Sequence, residues 1–177
     1  MCIRDRCIPY SICKIIDTPT GNDYIEMRAK GFEEISPQRK YHGISTQIIA
    51  QIKNVRVPFN VDIGVGDIIV PRAEERTINT QLPDFEAPVI KTYSLESTIA
   101  EKFDAILQRF ELTGRMKDFY DIYYLSRTFD FEGAKLQAAI FETLQRRGTP
   151  YDRDSFKRVV ALADDEDMQK RWKFFLK

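Results

Sequence analysis

The stretch Ile44–Ile52 (ISTQIIAQI), followed by Lys53-Asn54 and by Val55–Val61 (VRVPFNV) closing on Asp62, decides the fold class. Both runs are rich in β-branched residues and bounded by turn residues, the pattern of extended strands. The two-residue Lys53-Asn54 step suits a tight hairpin, although Asn-Gly would announce one more clearly. In the second run Val55, Val57, Phe59 and Val61 alternate with Arg56, Pro58, Asn60 and Asp62. One face is therefore apolar, and Asp62 falls on the polar one. Pro58 has no N–H to give to a ladder, which places this strand at a sheet edge or at a bulge.

Working outward, β signals run from Tyr24 to about Pro88. Gly64-Val65-Gly66-Asp67 reads as a turn and Ile68–Pro71 as a short buried strand stopped by proline. Residues 72–88 hold two prolines and no long period, and read as a connecting loop. After Pro88 the pattern becomes helical. Ser94 is an N-cap for a helix from Leu95 to about Phe110, with Leu95, Ile99, Phe103, Ile106 and Phe110 as its core stripe. Gly114 breaks it. A second helix over residues 115–127 is expected to bury Phe119, Ile122, Leu125 and the tyrosines around them. A third runs roughly from Glu132 to Arg147 and ends at Gly148-Thr149-Pro150. Two shorter helices follow, over 152–163 and 166–176. The fold class is α+β, with a β lobe in residues 1–88 and a helical domain in residues 89–177.

Composition narrows the function classes. The chain has 177 residues, 43% of them hydrophobic, with 12 Phe and 8 Tyr. That is enough apolar surface to offset ordering entropy, so disorder is excluded. No apolar run approaches the ~18 residues of a membrane span. Twenty-seven Lys and Arg balance 27 Asp and Glu, and neither side of residue 88 is a basic arm. Nucleic acid or nucleotide must then be held by local contacts rather than by bulk charge. Cys2, Cys7 and Cys13 crowd into the start, with no CxxC and the lone His42 far downstream. An odd count and a Cys-free body point to a reducing, cytoplasmic setting, and the cysteines are read as part of a poorly determined start. The opening Met1–Arg6 (MCIRDR) looks like a translated sequencing-adapter scar, so a non-native start and a missing N-terminal part are expected.

Two constellations carry chemistry. Asp62, on a strand's polar face beside a glycine turn, is well placed for a metal ligand, because the strand is rigid and the turn leaves room for phosphate. The bland alternative is that Asp62 caps the turn. The second constellation joins Lys102 to Arg115, Lys117, Asp118 and Asp121. Asp118 and Asp121 are three apart and share a helical face that Lys102 can meet from the neighbouring helix. Cations mixed with carboxylates suit gripping a triphosphate and orienting a nucleophilic hydroxyl. Its bland alternative is a surface ion-pair lattice. His42 has no nucleophilic partner nearby and is not read as catalytic. No GxGxxG, P-loop or GxSxG motif is present. Trp172 reads as a packing anchor for the last helix.

The ordered set of Tyr41-His42-Gly43, Val61–Asp67 (VDIGVGD), Tyr93–Glu96 leading into Ala100-Glu101-Lys102, Arg115–Asp121 (RMKDFYD), Arg146–Pro150 (RRGTP) and Trp172–Phe175 resembles the AbiEii/AbiGii toxin family. These are nucleotidyltransferase-like proteins of bacterial type IV toxin–antitoxin and phage-defence systems. The resemblance spans about residues 41–177. It implies a polymerase-β-type nucleotidyltransferase sheet, here a remnant, followed by a helical C-terminal domain. It further implies Mg²⁺-dependent transfer of a nucleotide from an NTP to an acceptor hydroxyl, with tRNA as one acceptor, and a cognate antitoxin as partner. By position, Asp62 matches a metal-binding carboxylate. Lys102, Asp118 and Asp121 match catalytic-support positions, and Lys102, Arg115 and Lys117 match nucleotide-gripping ones.

One departure stands out. The family's Gly-Ser turn and Asp-x-Asp pair should precede Tyr41, and residues 1–40 contain neither. Two-metal phosphoryl transfer needs several carboxylates around ions ~3.5–4 Å apart. The expectation is a truncated, inactive nucleotidyltransferase. The competing class is a non-catalytic binding module that contacts an antitoxin or nucleic acid.

Overall fold

The computed structural model describes residues 4–19, 24–35, 42–66, 69–81 and 83–177. The chain divides into two compact units, Met1–Gly66 and Asp67–Lys177, and its class is α+β.

In the first unit a helix α1 (Arg4–Ile16) precedes three strands: β1 (Glu26–Ile35), β2 (His42–Ile52) and β3 (Val55–Val65). They form an antiparallel sheet in the order β1-β2-β3. The expected hairpin is present: Ile52 pairs with Val55 across the Lys53-Asn54 turn, and Lys53 takes a left-handed φ of 53°. β3 is an edge strand, as Pro58 requires. The alternation along β3 is also as read, but its apolar side is not a core face, since Val55, Val57 and Phe59 are exposed. The buried apolar side chains described in this unit are Ile12 of α1 and Ile48 of β2. The helix α1 goes beyond the sequence reading, which assigns no element there. Pro9 lies inside it, a position that argues against a helix on local grounds alone. Cys13 is exposed on it. Tyr41, Asp67 and Ile68 lie outside the described residues.

The second unit opens with a correction. Residues 72–88 are not simply a loop, because β4 (Glu74–Thr77) pairs antiparallel with β5 (Val89–Thr92). Ile69–Pro71 form no strand. The N–H and C=O of Val70 are instead taken by hydroxyls of the following helix. Val70 N donates to Ser97 Oγ at 2.8 Å, and Ser97 Oγ and Ser94 Oγ donate to the Val70 carbonyl at 2.9 and 3.2 Å. That helix, α2 (Leu95–Leu107), starts at Ser94, whose side chain accepts from Ser97 N. It stops three residues earlier than expected and passes into a 3₁₀ turn over Phe110–Leu112, where Phe110 takes a φ of 42°.

The remaining helices follow the sequence closely. They are α3 (Met116–Thr128), α4 (Gly133–Arg147), α5 (Arg153–Ala161) and α6 (Glu166–Phe175). Gly148 closes α4 in the left-handed region with φ 62°, which glycine adopts without steric cost. Asp152 and Asp165 cap α5 and α6. Ile106, Met116, Leu162 and Met168 form a buried cluster, with Phe119, Ile122, Val159 and Trp172 packed on it. Trp172 is thus a packing anchor, stacked on Phe175 at 5.7 Å. The tyrosines of α3 depart from expectation: Tyr120, Tyr123 and Tyr124 are exposed. No helix among the described residues is long and apolar enough to cross a membrane.

Candidate functional site

The Asp67–Lys177 unit brings together all five of its expected site residues. Lys102 projects from α2, while Asp118 and Asp121 share one face of α3 as their spacing dictates. Lys102 Nζ lies 2.7 Å from Asp121 Oδ2 and 3.4 Å from Asp118 Oδ1. Lys117 Nζ is 2.6 Å from Asp121 Oδ2. Arg115 Nε lies 2.6 Å from Asp118 Oδ2. The side chains of Lys102 and Asp121 are 21% and 19% exposed, against 61% for Arg115 and 72% for Lys117. Burial opposes ionisation of Asp121, but its hydrogen bonds to Lys102 and Lys117 outweigh that and hold its carboxyl below the ordinary value of 3.8. Asp118 is almost wholly buried and sits in the first turn of α3, where the helix dipole favours a carboxylate.

Asp62 lies in the other unit, on the polar face of β3. Ser45 Oγ donates to its Oδ1 at 2.6 Å, an arrangement made by the Ser45–Asp62 pairing in the β2–β3 ladder. Its second oxygen is the one left for a cation. Magnesium is usually held by one or two carboxylates, waters and substrate phosphates, so Asp62 can supply one such ligand. Among the described residues no group of three or more His, Cys, Asp or Glu is placed to hold an ion. A closed two-metal centre therefore does not fit the described carboxylates, and no step is derived through one.

A second polar cluster was not singled out from sequence. Asp104 of α2 is fully buried. It accepts from Thr149 Oγ1, from Arg147 Nη1 at 3.1 Å and from Gln108 Nε2 at 2.9 Å. Arg147 Nη2 also lies 3.3 Å from Glu101 Oε1. Arg147 and Thr149 of the Arg146–Pro150 motif thus clasp the end of α4 to α2, at Glu101 and Asp104 on either side of Lys102. No local signal marks it: Glu101, Lys102 and Asp104 fall within one turn of α2, and nothing in their spacing tells which of the three is buried.

A family model described as the nucleotidyl transferase AbiEii toxin of type IV toxin–antitoxin systems matches residues 9–177. No curated protein and no solved structure matches the chain.

Proposed function

The chain belongs to the AbiEii family of nucleotidyl transferase toxins of type IV toxin–antitoxin systems, and from that premise we propose that it takes an NTP as its nucleotide donor and a tRNA end as the hydroxyl acceptor, under control of a cognate antitoxin. The observation that carries this reading is the Lys102 ammonium held between Asp118 and Asp121 on a half-buried helix pair. The two carboxylates hold the Lys102 ammonium in place, at 3.4 and 2.7 Å. Three cations against two carboxylates leave one positive charge over, and the more exposed Arg115 and Lys117 can turn from carboxylate to phosphate at little cost. Asp62, on the other unit, would supply one carboxylate ligand to a bound Mg²⁺.

Binding of radiolabelled NTPs tests the assignment. Lys102→Ala should weaken binding by about 1.5–3 kcal/mol, one charge-assisted hydrogen bond; an unchanged Kd sinks it. With Mg²⁺ and tRNA present, the 177-residue chain is expected to bind NTP without transferring it, because among the described residues no group of three carboxylates is placed to hold ions, and two-metal transfer needs several. Robust transfer would overturn that point and direct attention to Asp118 and Asp121 as substitutes. If no NTP bound at all, the non-catalytic binding module would be the better reading.

A further inference from the structure

A β-bulge in β1 builds a polar recess on the face of the sheet that carries Asp62. The ladder pairs Ala29 with Ile48 and then Gly31 with Gln47, so Lys30 is an extra residue in β1. In a regular strand Lys30 and Glu33, three apart, would point to opposite faces. The bulge resets the phase, and both end on the side of Gln47, Ser45 and Asn60. These five residues, with Gly31, line a recess of about 350 Å³, within the size range of small-ligand sites. Bulges of this kind re-aim side chains and are over-represented beside active sites. The bulge is pinned from behind: the buried Thr46 donates its hydroxyl to the Gly31 carbonyl at 2.8 Å. Opposite Glu33 in the ladder stands Ser45, and opposite Ser45 stands Asp62.

The chemistry of the lining selects a ligand class. Lys30 offers a cation for phosphate. Glu33 offers a carboxylate that can accept from ribose hydroxyls, the same pairing that acidic residues make with ribose in dinucleotide sites. Gln47 and Asn60 each carry both donors and acceptors, which suits a base edge. Among the described residues no aromatic ring lines the recess, and those that do line it offer hydrogen bonds and charge rather than stacking. Gly31 leaves its floor open, since a Cβ at that position would meet nothing within 4 Å.

We propose that this recess holds a ribonucleoside phosphate, with Lys30 on the phosphate and Glu33 on the ribose hydroxyls. The inference rests on the reading of the chain as a nucleotidyl transferase, and two sources share this chemistry: a free nucleotide and the terminal nucleotide of an RNA acceptor.

The test measures binding of CMP and of a short single-stranded RNA with a free 3′ hydroxyl to the full chain, by chemical-shift titration. Amides of β1, β2 and β3 around the recess should shift with at least one probe. Lys30→Ala and Gly31→Leu should each raise the Kd for that probe tenfold or more. Gly31→Leu fills the recess at a position where the added side chain has room, so it tests the cavity without removing a charge. Arg56→Ala, on the same face but outside the recess, should leave the Kd unchanged. A response to RNA alone assigns the recess to the acceptor, and a response to CMP also assigns it to the mononucleotide. Wild-type affinities in both Lys30→Ala and Gly31→Leu, or no shifts in the recess with either probe, would overturn the proposal. Lys102→Ala separates this outcome from failure of the functional reading. If that variant leaves NTP binding intact while the recess variants lose the probe, the triphosphate assignment falls and the recess stands.

Discussion

Asp118 and Asp121 share a helix face yet hold different positions in the ion-pair network, and the difference sets what each substitution does. Asp118 is 3% exposed and pairs with both Lys102 and Arg115. Replacing it by Asn removes the charge that these two cations answer. The expected cost is about 1–3 kcal/mol, from the lost charge-assisted hydrogen bonds of Lys102 and Arg115 to a buried carboxylate, read as a lower urea midpoint at pH 7. Asp62→Ala should leave that midpoint unchanged, because Asp62 is an exposed residue on an edge strand. Asp121 gives a pH signature. Its folded value lies below 3.8, so its contribution is present above pH 3.8 and is lost as pH falls through the lower, folded value. Asp121→Asn should therefore be destabilised relative to the wild type at neutral pH, with the gap closing only below about pH 4 in acid titrations of stability. At this scale the sequence was legible where spacing on one element suffices, as for Asp118 and Asp121. Asp104 was not, because its partners Arg147 and Thr149 lie more than forty residues away and only tertiary packing reveals that they converge.

Among the elements, the β2–β3 hairpin and α2 to α6 were readable, because each carries its own period and every helix but α3 a cap residue as well. Ser94, Gly148, Asp152 and Asp165 mark their ends on local grounds. What local signals do not carry is pairing between distant segments. The strand Glu74–Thr77 is four residues long and exists because Val89–Thr92 lies beside it. The β1 bulge is likewise a property of the ladder, not of the residues Lys30 and Gly31 alone. The hairpin turn offers a clean test of local strain. Lys53 sits at φ 53°, a region that costs a non-glycine residue about 1–2 kcal/mol. Lys53→Asn, which tolerates that conformation better, should raise stability by roughly 0.5–1 kcal/mol by thermal melting, without altering ligand binding. A loss of stability would show that the lysine side chain contributes more than its backbone costs. In the helical unit, Asp104→Ala should do the opposite. It leaves Arg147 short of a buried partner, and a cost of about 3–5 kcal/mol is expected.

For the molecule as a whole, the two units differ in how much apolar surface they bury. The Met1–Gly66 unit buries Ile12 and Ile48 among its described residues, while the Asp67–Lys177 unit buries Ile99, Ala100, Ile106, Leu107, Met116, Ala139, Leu144, Leu162 and Met168. Hydrophobic burial is the dominant favourable term in folding, so the two should not open together. Hydrogen exchange is expected to show β1 and β3 amides exchanging by a lower-energy opening than the amides of α2 and α4. Ligands then report which unit they hold. An NTP gripped by Lys102, Arg115 and Lys117 stabilises the second unit by mass action, about 2.7 kcal/mol at a hundred times its Kd. Exchange in α2 and α3 should slow accordingly, and the slowing should vanish in Lys102→Ala. A ribonucleoside monophosphate, which lacks the triphosphate that the cation cluster grips, should instead slow β1 and β2, and that protection should vanish in Gly31→Leu. Protection of the helices by the monophosphate, or of the sheet alone by the NTP, would reverse the assignment of charge to one unit and ribose recognition to the other.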